Sequence, residues 1–360
     1  MNILIVMAHL RSGGPVEVVY NLCRGLKSTP NIEVSVLSLR REKEKSRIND
    51  FRSLGIDVIE FGLNYRYCEL NSKAVGKKVQ QLVDERHFDI VHCHGYHPVI
   101  ACALLKRAKL MTTLHNRANE DFINSFGPIL GRYMLYRYIK HLAHYHANVA
   151  VSSSGADLYS KQVPNTRFVN NGIDPSRFCV STDIEQLRTT LHLPLDRRIF
   201  VTSGRVEREK RCEELVTSFL NHIANHPVAL LVLGQGSRLD SCKEIAKDCP
   251  NIIFTGNVSN VAQYLQASDY YTSYSKSEGM SMAVCEGVAC GLYPVLSDIP
   301  SHHDVGEGVG GVFFSSPDDL NMDALLKKQI DKSALYGHIC KEFSIPSMVK
   351  GYVEVYKSLM

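Results

Sequence analysis

Short apolar runs alternate with amphipathic stretches along most of the 360-residue chain. In the first half NILIVMA, EVSVLSL, DIVHCH, KLMTTLH and ANVAVS read as strands, and in the second half IFVTSG, ALLVLG, NIIFTG, DYYTSY and YPVLS do the same. Each run is closed by turn residues and followed by apolar positions at helical spacing. That order predicts parallel sheets covered by helices. Ten strands in two runs of five predict two Rossmann-like α/β domains rather than one large sheet. The boundary is expected near NNGIDPSRF, Asn170 to Phe178, where Asn-Gly and Asp-Pro pairs punctuate a loop. The chain then divides into residues 1–175, residues 176–344, and a last helical pattern over 345–360 that is expected to pack back on the first domain.

Composition narrows the class. Forty-four per cent hydrophobic and 22 % charged residues are ordinary for a globular protein. The net charge of +4 hides an asymmetry: residues 1–175 hold 23 Lys and Arg against 15 Asp and Glu, whereas residues 176–360 hold 18 against 22. The basic half suits an anionic membrane surface or a phosphorylated acceptor, and a well-solvated surface accounts for it equally. With so modest a surplus and no recognised binding motif, no nucleic-acid partner is expected. No apolar run approaches the ~18 residues of a membrane span. The opening MNILIVMA reads as a core strand rather than a leader. Eleven cysteines form no C-x-x-C pair, and several (Cys23, Cys93, Cys285) sit inside apolar segments, so a cytoplasmic protein with reduced thiols is expected.

In a doubly wound fold, ligands bind at the carboxyl ends of the strands. Ser12-Gly13-Gly14-Pro15 follows the first strand, and its paired glycines allow backbone N–H groups to approach an anion at a helix start. It is not the G-x-G-x-x-G dinucleotide fingerprint. GRVEREK, Gly204 to Lys210, places Arg205 and Lys210 around a loop where a planar fork and a point charge suit a diphosphate. Glu207, Arg208 and Glu209 in the same run leave a solvated charged loop as an alternative. LGQGSRLD, with Gly234 and Gly236, reads either as a site of close backbone approach or as a plain strand-to-helix turn.

SEGMSMAVCEGVACG, Ser277 to Gly291, is the most informative stretch. Glu278 precedes a helix and Glu286 lies one to two turns inside it, about 10–12 Å apart if mostly helical. The N–H groups of Gly279, Met280 and Ser281 lie between them at the helix start, where an anion is favoured. Carboxylates accept well from sugar hydroxyls, so a nucleotide sugar matches the layout. HCHGYH, His92 to His97, clusters three imidazoles without a carboxylate, so a metal is not expected. The cluster reads instead as acceptor-side or merely structural, with His97 the best candidate for the acceptor side. Phe126 to His146 reads as one amphipathic helix with a basic aromatic face, suited to a membrane interface or, alternatively, to a core with tyrosines at its rim.

EGMSMAVCEGVACG, with SGRVEREK upstream and YPVLSDIPSHHDV after it, resembles the E-x7-E and G-R-x4-K elements of the retaining glycosyltransferases of family 4. SGGPVEVV, TTLHNR and VNNGID resemble first-half elements of that family in the same order. The resemblance implies the GT-B fold, two Rossmann-like domains facing each other across a cleft, the first binding the acceptor and the second the nucleotide sugar. It implies that Arg205 and Lys210 hold the diphosphate, with backbone at Gly13, Gly14 and Gly279–Ser281. It further implies that Glu286 accepts from the ribose, Val258 meets the base, Glu278 contacts donor-sugar hydroxyls and His115 sits against the donor sugar. The reaction implied is retaining transfer of a hexose-type sugar, with UDP the preferred donor nucleotide and GDP behind it. The acceptor would be a glycan or lipid-linked acceptor, as in cell-surface polysaccharide synthesis, at the inner face of the membrane. The chain has no D-x-D triplet, so neither metal nor other cofactor is expected. The rivals are a non-catalytic GT-B protein that binds nucleotide sugars and an epimerase of the same fold, the latter disfavoured by the E-x7-E element.

Overall fold

NILIVMA forms β1 (Asn2–Met7), whose apolar side chains are buried on both faces, as expected inside a parallel sheet covered by helices. Around it the computed structural model, which describes residues 1–43 and 45–360, builds a seven-stranded sheet. Its other strands are β2 (Glu33–Arg40), β3 (Asp57–Leu63), β4 (Ile90–His94), β5 (Lys109–Leu114), β6 (Ala147–Ala150) and β7 (Thr166–Phe168), in the order β3-β2-β1-β4-β5-β6-β7. Every neighbouring pair is parallel. A second sheet of six parallel strands has the order β10-β9-β8-β11-β12-β13. Its members are β8 (Arg198–Ser203), β9 (Val228–Leu233), β10 (Ile252–Gly256), β11 (Tyr270–Ser273), β12 (Tyr293–Ser297) and β13 (Val312–Phe314).

The chain divides into one unit of Met1–Gly172 with Ile345–Met360 and another of Ile173–Ser344. The ten strands expected are present, and three more, β3, β7 and β13, occupy sheet edges. Edge strands carry a weaker pattern because fewer of their side chains are covered. In β3, DVIEFGL alternates exposed with covered positions, and β7 and β13 are only three residues long.

In the first unit, helix α1 (Gly14–Lys27) lays Val19, Leu22 and Leu26 on the β1 side of the sheet. The segment from 345 joins that same core as a helix. It contributes Ile345, Met348, Tyr352, Val355 and Tyr356, a stripe at helical spacing, to the cluster that holds Ile3, Ile5 and Leu22. A Cβ on Gly25 of α1 would stand 2.3 Å from Val349 Cγ2, so the two helices pack at backbone range there. Each large apolar side chain buried in this way contributes about 1.5–3 kcal/mol.

The expected amphipathic helix over Phe126–His146 is corrected. Helix α3 runs over Ala118–Leu142 and breaks at Gly127 (φ 77°, ψ 173°), just before Pro128, which cannot continue the backbone ladder. A shorter helix, α2 (Tyr96–Cys102), precedes it. Met134, Tyr138 and Leu142 of α3 face the core, whereas Phe126, Ile129, Leu130, Tyr133 and Tyr136 are exposed. All eleven cysteines are free thiols. Among the described residues, no helix is long and apolar enough to cross a membrane.

Candidate active site

Each unit has a pocket at the carboxyl ends of its strands, and half of the candidate residues from sequence border one or the other: Gly13 and His115 in the first unit, Arg205, Lys210, Glu278 and Ser281 in the second.

In the second unit the chain leaves β8 through Gly204 (φ 132°) and crosses the mouth of the pocket as Arg205–Lys210. The loop after β9, which leads into helix α4 (Leu239–Ala246), supports it. Val206 N–H donates to Gln235 O at 2.9 Å, and Arg238 N–H donates to Val206 O at 3.0 Å. A Cβ on Gly234 would lie 1.8 Å from Gly204 O, and one on Gly236 would lie 2.2 Å from Val206 O. The glycines of LGQGSRLD therefore serve the packing of loop on loop. Glu207 is also structural, accepting from Ser237 Oγ at 2.5 Å.

Arg205, Lys210, Glu278 and Ser281 line this one pocket. Arg205 is exposed, and its guanidinium has no hydrogen-bond or ion-pair partner among the described residues. Lys210 Nζ donates to Glu278 Oε1 at 2.5 Å, and Ser275 Oγ donates to the same oxygen at 2.8 Å. Burial alone would raise the Glu278 pKa. The Lys210 charge and hydrogen bond, with His302 and Ser275, outweigh it and hold the carboxyl below the usual range. The expected helix is α5 (Met282–Ala289), so only half of the Glu278–Glu286 interval is helical, and Glu286 is half-buried inside it. Gly287 faces Tyr271, where a Cβ would stand 2.3 Å from the ring, which seats α5 directly on β11. Gly279, Met280, Glu286 and the half-buried Val258 lie outside the lining of this pocket.

His302 stands in helix α6 (Pro300–Gly306), fully buried, with Nδ1 3.0 Å from the carbonyl oxygen of Ser297. A carbonyl only accepts, so the proton is on Nδ1 and the buried Nε2 is a bare lone pair without a partner among the described residues. Burial lowers the ring's pKa to about 4, despite the nearby Glu278 charge.

In the first unit, a cavity of ≈ 270 Å³ opens at the ends of β1, β4 and β5. Its lining includes Arg11, Gly13, His94, Tyr96, His115 and Phe122. A Cβ on Gly14 would meet nothing within 4 Å, and one on Gly13 only Arg11 O at 3.9 Å, so these glycines leave their backbone open at the start of α1. His115 Nε2 stands 2.8 Å from His94 Nδ1. Burial lowers the His115 pKa to about 4 and pushes His94 well down, so both rings are neutral near pH 7.

His97 is buried in α2, faces Glu69 Oε2 at 3.3 Å, and lies outside the cavity lining; the imidazole of HCHGYH that borders the cavity is His94. Sequence reasoning passed over His94, although the register holds the signal. His94 pairs with Thr113, two residues before His115, at the ends of adjacent strands. Among the described residues, no group of three or more His, Cys, Asp or Glu side chains is placed to hold a metal ion.

Comparison with known proteins agrees with this geometry. Residues 12–177 match the model of Glycosyltransferase Family 4, and residues 197–328 match Glycosyl transferases group 1. The chain is 25 % identical over 251 residues to N-acetyl-alpha-D-glucosaminyl L-malate synthase of Bacillus anthracis, covering 65 % of this chain and 64 % of that protein. It is 29 % identical over 203 residues to the O-antigen biosynthesis glycosyltransferase WbnH of Escherichia coli, covering 56 % of this chain and 58 % of the relative. The chain thus spans less than two thirds of the length of these two relatives. With the O-antigen biosynthesis glycosyltransferase WclY of Escherichia coli it shares 21 % identity over 374 residues, covering 100 % of this chain and 99 % of that one. Among solved structures, Anabaena Alr3699/HepE in complex with UDP superposes with a TM-score of 0.82 at 16 % identity, covering 99 % and 100 % of the two chains. Sucrose-phosphate synthase from Thermosynechococcus elongatus gives 0.80 at 16 % identity, covering 99 % and 98 %. These likenesses show the GT-B type of fold, two Rossmann-like α/β domains.

Proposed function

The chain belongs to the glycosyltransferases, its two domains matching family 4 and group 1 in succession, and from that premise we propose that it transfers a hexose-type sugar from UDP to a glycan or lipid-linked acceptor, with retention and without a metal. The observation that carries this reading is the convergence of Arg205, Lys210 and Glu278 on one second-unit pocket. Breaking the anomeric C–O bond leaves charge on the diphosphate, and cations fixed beforehand lower that barrier. Arg205 is an unpaired planar fork and Lys210 a point charge held in place by Glu278. When Lys210 turns to a phosphate oxygen, Glu278 is released to accept from sugar hydroxyls, and Glu286 takes the ribose hydroxyls. The leaving phosphate receives the acceptor's proton, so no protein base is needed on that face.

The donor nucleotide is assigned as UDP partly because HepE is described in complex with UDP and with UDP-glucose, with GDP second. Cell-surface polysaccharide synthesis fits the O-antigen relatives. Contact with the inner face of the membrane is assigned to α3, where Ile129, Leu130, Tyr133 and Tyr136 are exposed beside the exposed cations Arg132 and Lys140.

Calorimetric titration with nucleotide sugars in EDTA tests the donor site. UDP-hexose should bind in a single-site isotherm, and Arg205→Ala and Lys210→Ala should each weaken it at least tenfold, the value of about one charged hydrogen bond. Binding that needs a divalent cation, or that is indifferent to both substitutions, contradicts the assignment.

A further inference from the structure

The first-unit cavity is bordered by two imidazoles that share one proton. His94 Nδ1 and His115 Nε2 stand 2.8 Å apart, so one of them is the donor. If His115 Nε2 carried the proton, neutral His94 would have to keep its own on Nε2. That nitrogen is buried and has no partner among the described residues. Buried N–H groups without an acceptor are rare, rarer than acceptors lacking a donor. The proton therefore belongs on His94 Nδ1, donating to His115 Nε2, and His94 Nε2 is left as a lone pair. A neutral His115 then carries its own proton on Nδ1, for which no partner occurs among the described residues. Charging either ring in this buried site is disfavoured.

The frame that holds His94 is itself closed. The His92 ring lies 4.2 Å from the His94 ring, and its nitrogens are taken by Tyr356 OH and Thr113 Oγ1, each at 2.8 Å. Thr113 Oγ1 in turn stands 2.9 Å from Tyr352 OH. All four side chains are buried, two of them on the helix that begins at Ile345.

We propose that His94 is a positioning residue: through its Nδ1–H it fixes His115 in the tautomer that offers Nδ1–H to a hydroxyl oxygen of the sugar held in this cavity. His115 acts as a hydrogen-bond donor and takes no proton during the reaction. The identity of the ligand rests on the proposed transferase function; the tautomer does not.

Two measurements decide this. In protein labelled with ring-15N histidine, long-range 1H–15N spectra near pH 7.5 read each tautomer, with His115 assigned by its loss in His115→Gln. His115 should be protonated on Nδ1, and His94→Leu should populate the Nε2–H form. Protonation on Nε2 in the wild type, or a tautomer unchanged in His94→Leu, overturns the proposal. In nucleotide-release assays, His94→Leu should lower kcat about tenfold, the size of one hydrogen bond, with the donor KM within about twofold. His94→Gln, whose amide can still donate, should recover most of that loss. Equal loss in both variants, or a change confined to KM, counts against the proposal. If His94→Leu does not fold, His94→Gln and the wild-type spectrum decide. A wild type inactive with every donor would remove the transferase reading and leave the tautomer measurement standing.

Discussion

Lys210 and Glu278 hold each other in the second-unit pocket with side chains 29 % and 13 % exposed, so neither is a freely solvated charge. Removing the lysine leaves a covered carboxylate with only part of its hydrogen bonding. Lys210→Ala should therefore lose about 1–3 kcal/mol in urea unfolding and about 10²–10³-fold in nucleotide release. Unchanged turnover in a folded variant would place the chemistry elsewhere. The pair also sets an acid limb. Because the folded Glu278 carboxyl ionises below the unfolded value, its contribution is complete above about pH 4.3 and fades as pH falls through the lowered folded value. Glu278→Gln should flatten that limb between pH 5 and 3, read as the unfolding midpoint against pH. Arg205, Lys210 and Glu278 were legible in the sequence because each follows a strand that a local pattern identifies. His94 and His302 were not, since their roles depend on partners, His115 and Ser297, set by strand register and a helix start.

The same division holds for whole elements. Interior strands such as β1 and β9 are apolar on both faces and announce themselves, whereas β3, β7 and β13, at sheet edges, do not. A single glycine decided α3: an unbroken amphipathic reading across Gly127 treated its positive φ as helical. Beyond that kink, the stripe Ile129, Tyr133 and Tyr136 remains exposed and carries a direct prediction. The protein should co-sediment with phosphatidylglycerol vesicles more than with phosphatidylcholine vesicles, and Ile129→Glu with Tyr133→Glu should abolish the difference. Equal sedimentation with both would remove the membrane assignment. Packing of α1 against the Ile345–Leu359 helix is tight enough to test by one methyl group. Gly25→Ala should destabilise the first unit by about 1–3 kcal/mol, because its Cβ would overlap Val349.

Across the molecule, the burial of neutral histidines is uneven. His9, His92, His94, His97 and His115 lie in the first unit and His302 and His338 in the second, and burial lowers the pKa of all seven. A ring that ionises lower in the folded state gives its full stabilisation above about pH 6.5 and loses it as pH falls towards the folded value. Calorimetric scans should therefore show the first unit weakening before the second as pH drops from 6.5 to 4. A second unit failing first would contradict this placement of charge. The central claim, metal-independent retaining transfer from UDP-hexose, is tested most directly by proton NMR of the reaction. The protein would be incubated in EDTA with UDP-α-hexose and a panel of free and lipid-linked glycans, following the anomeric signals of donor and product. Release of UDP with a new α-anomeric signal from at least one acceptor, lost in Lys210→Ala, is the expected result. A β-anomeric product, a requirement for a divalent cation, or no consumption of donor with any acceptor would contradict it.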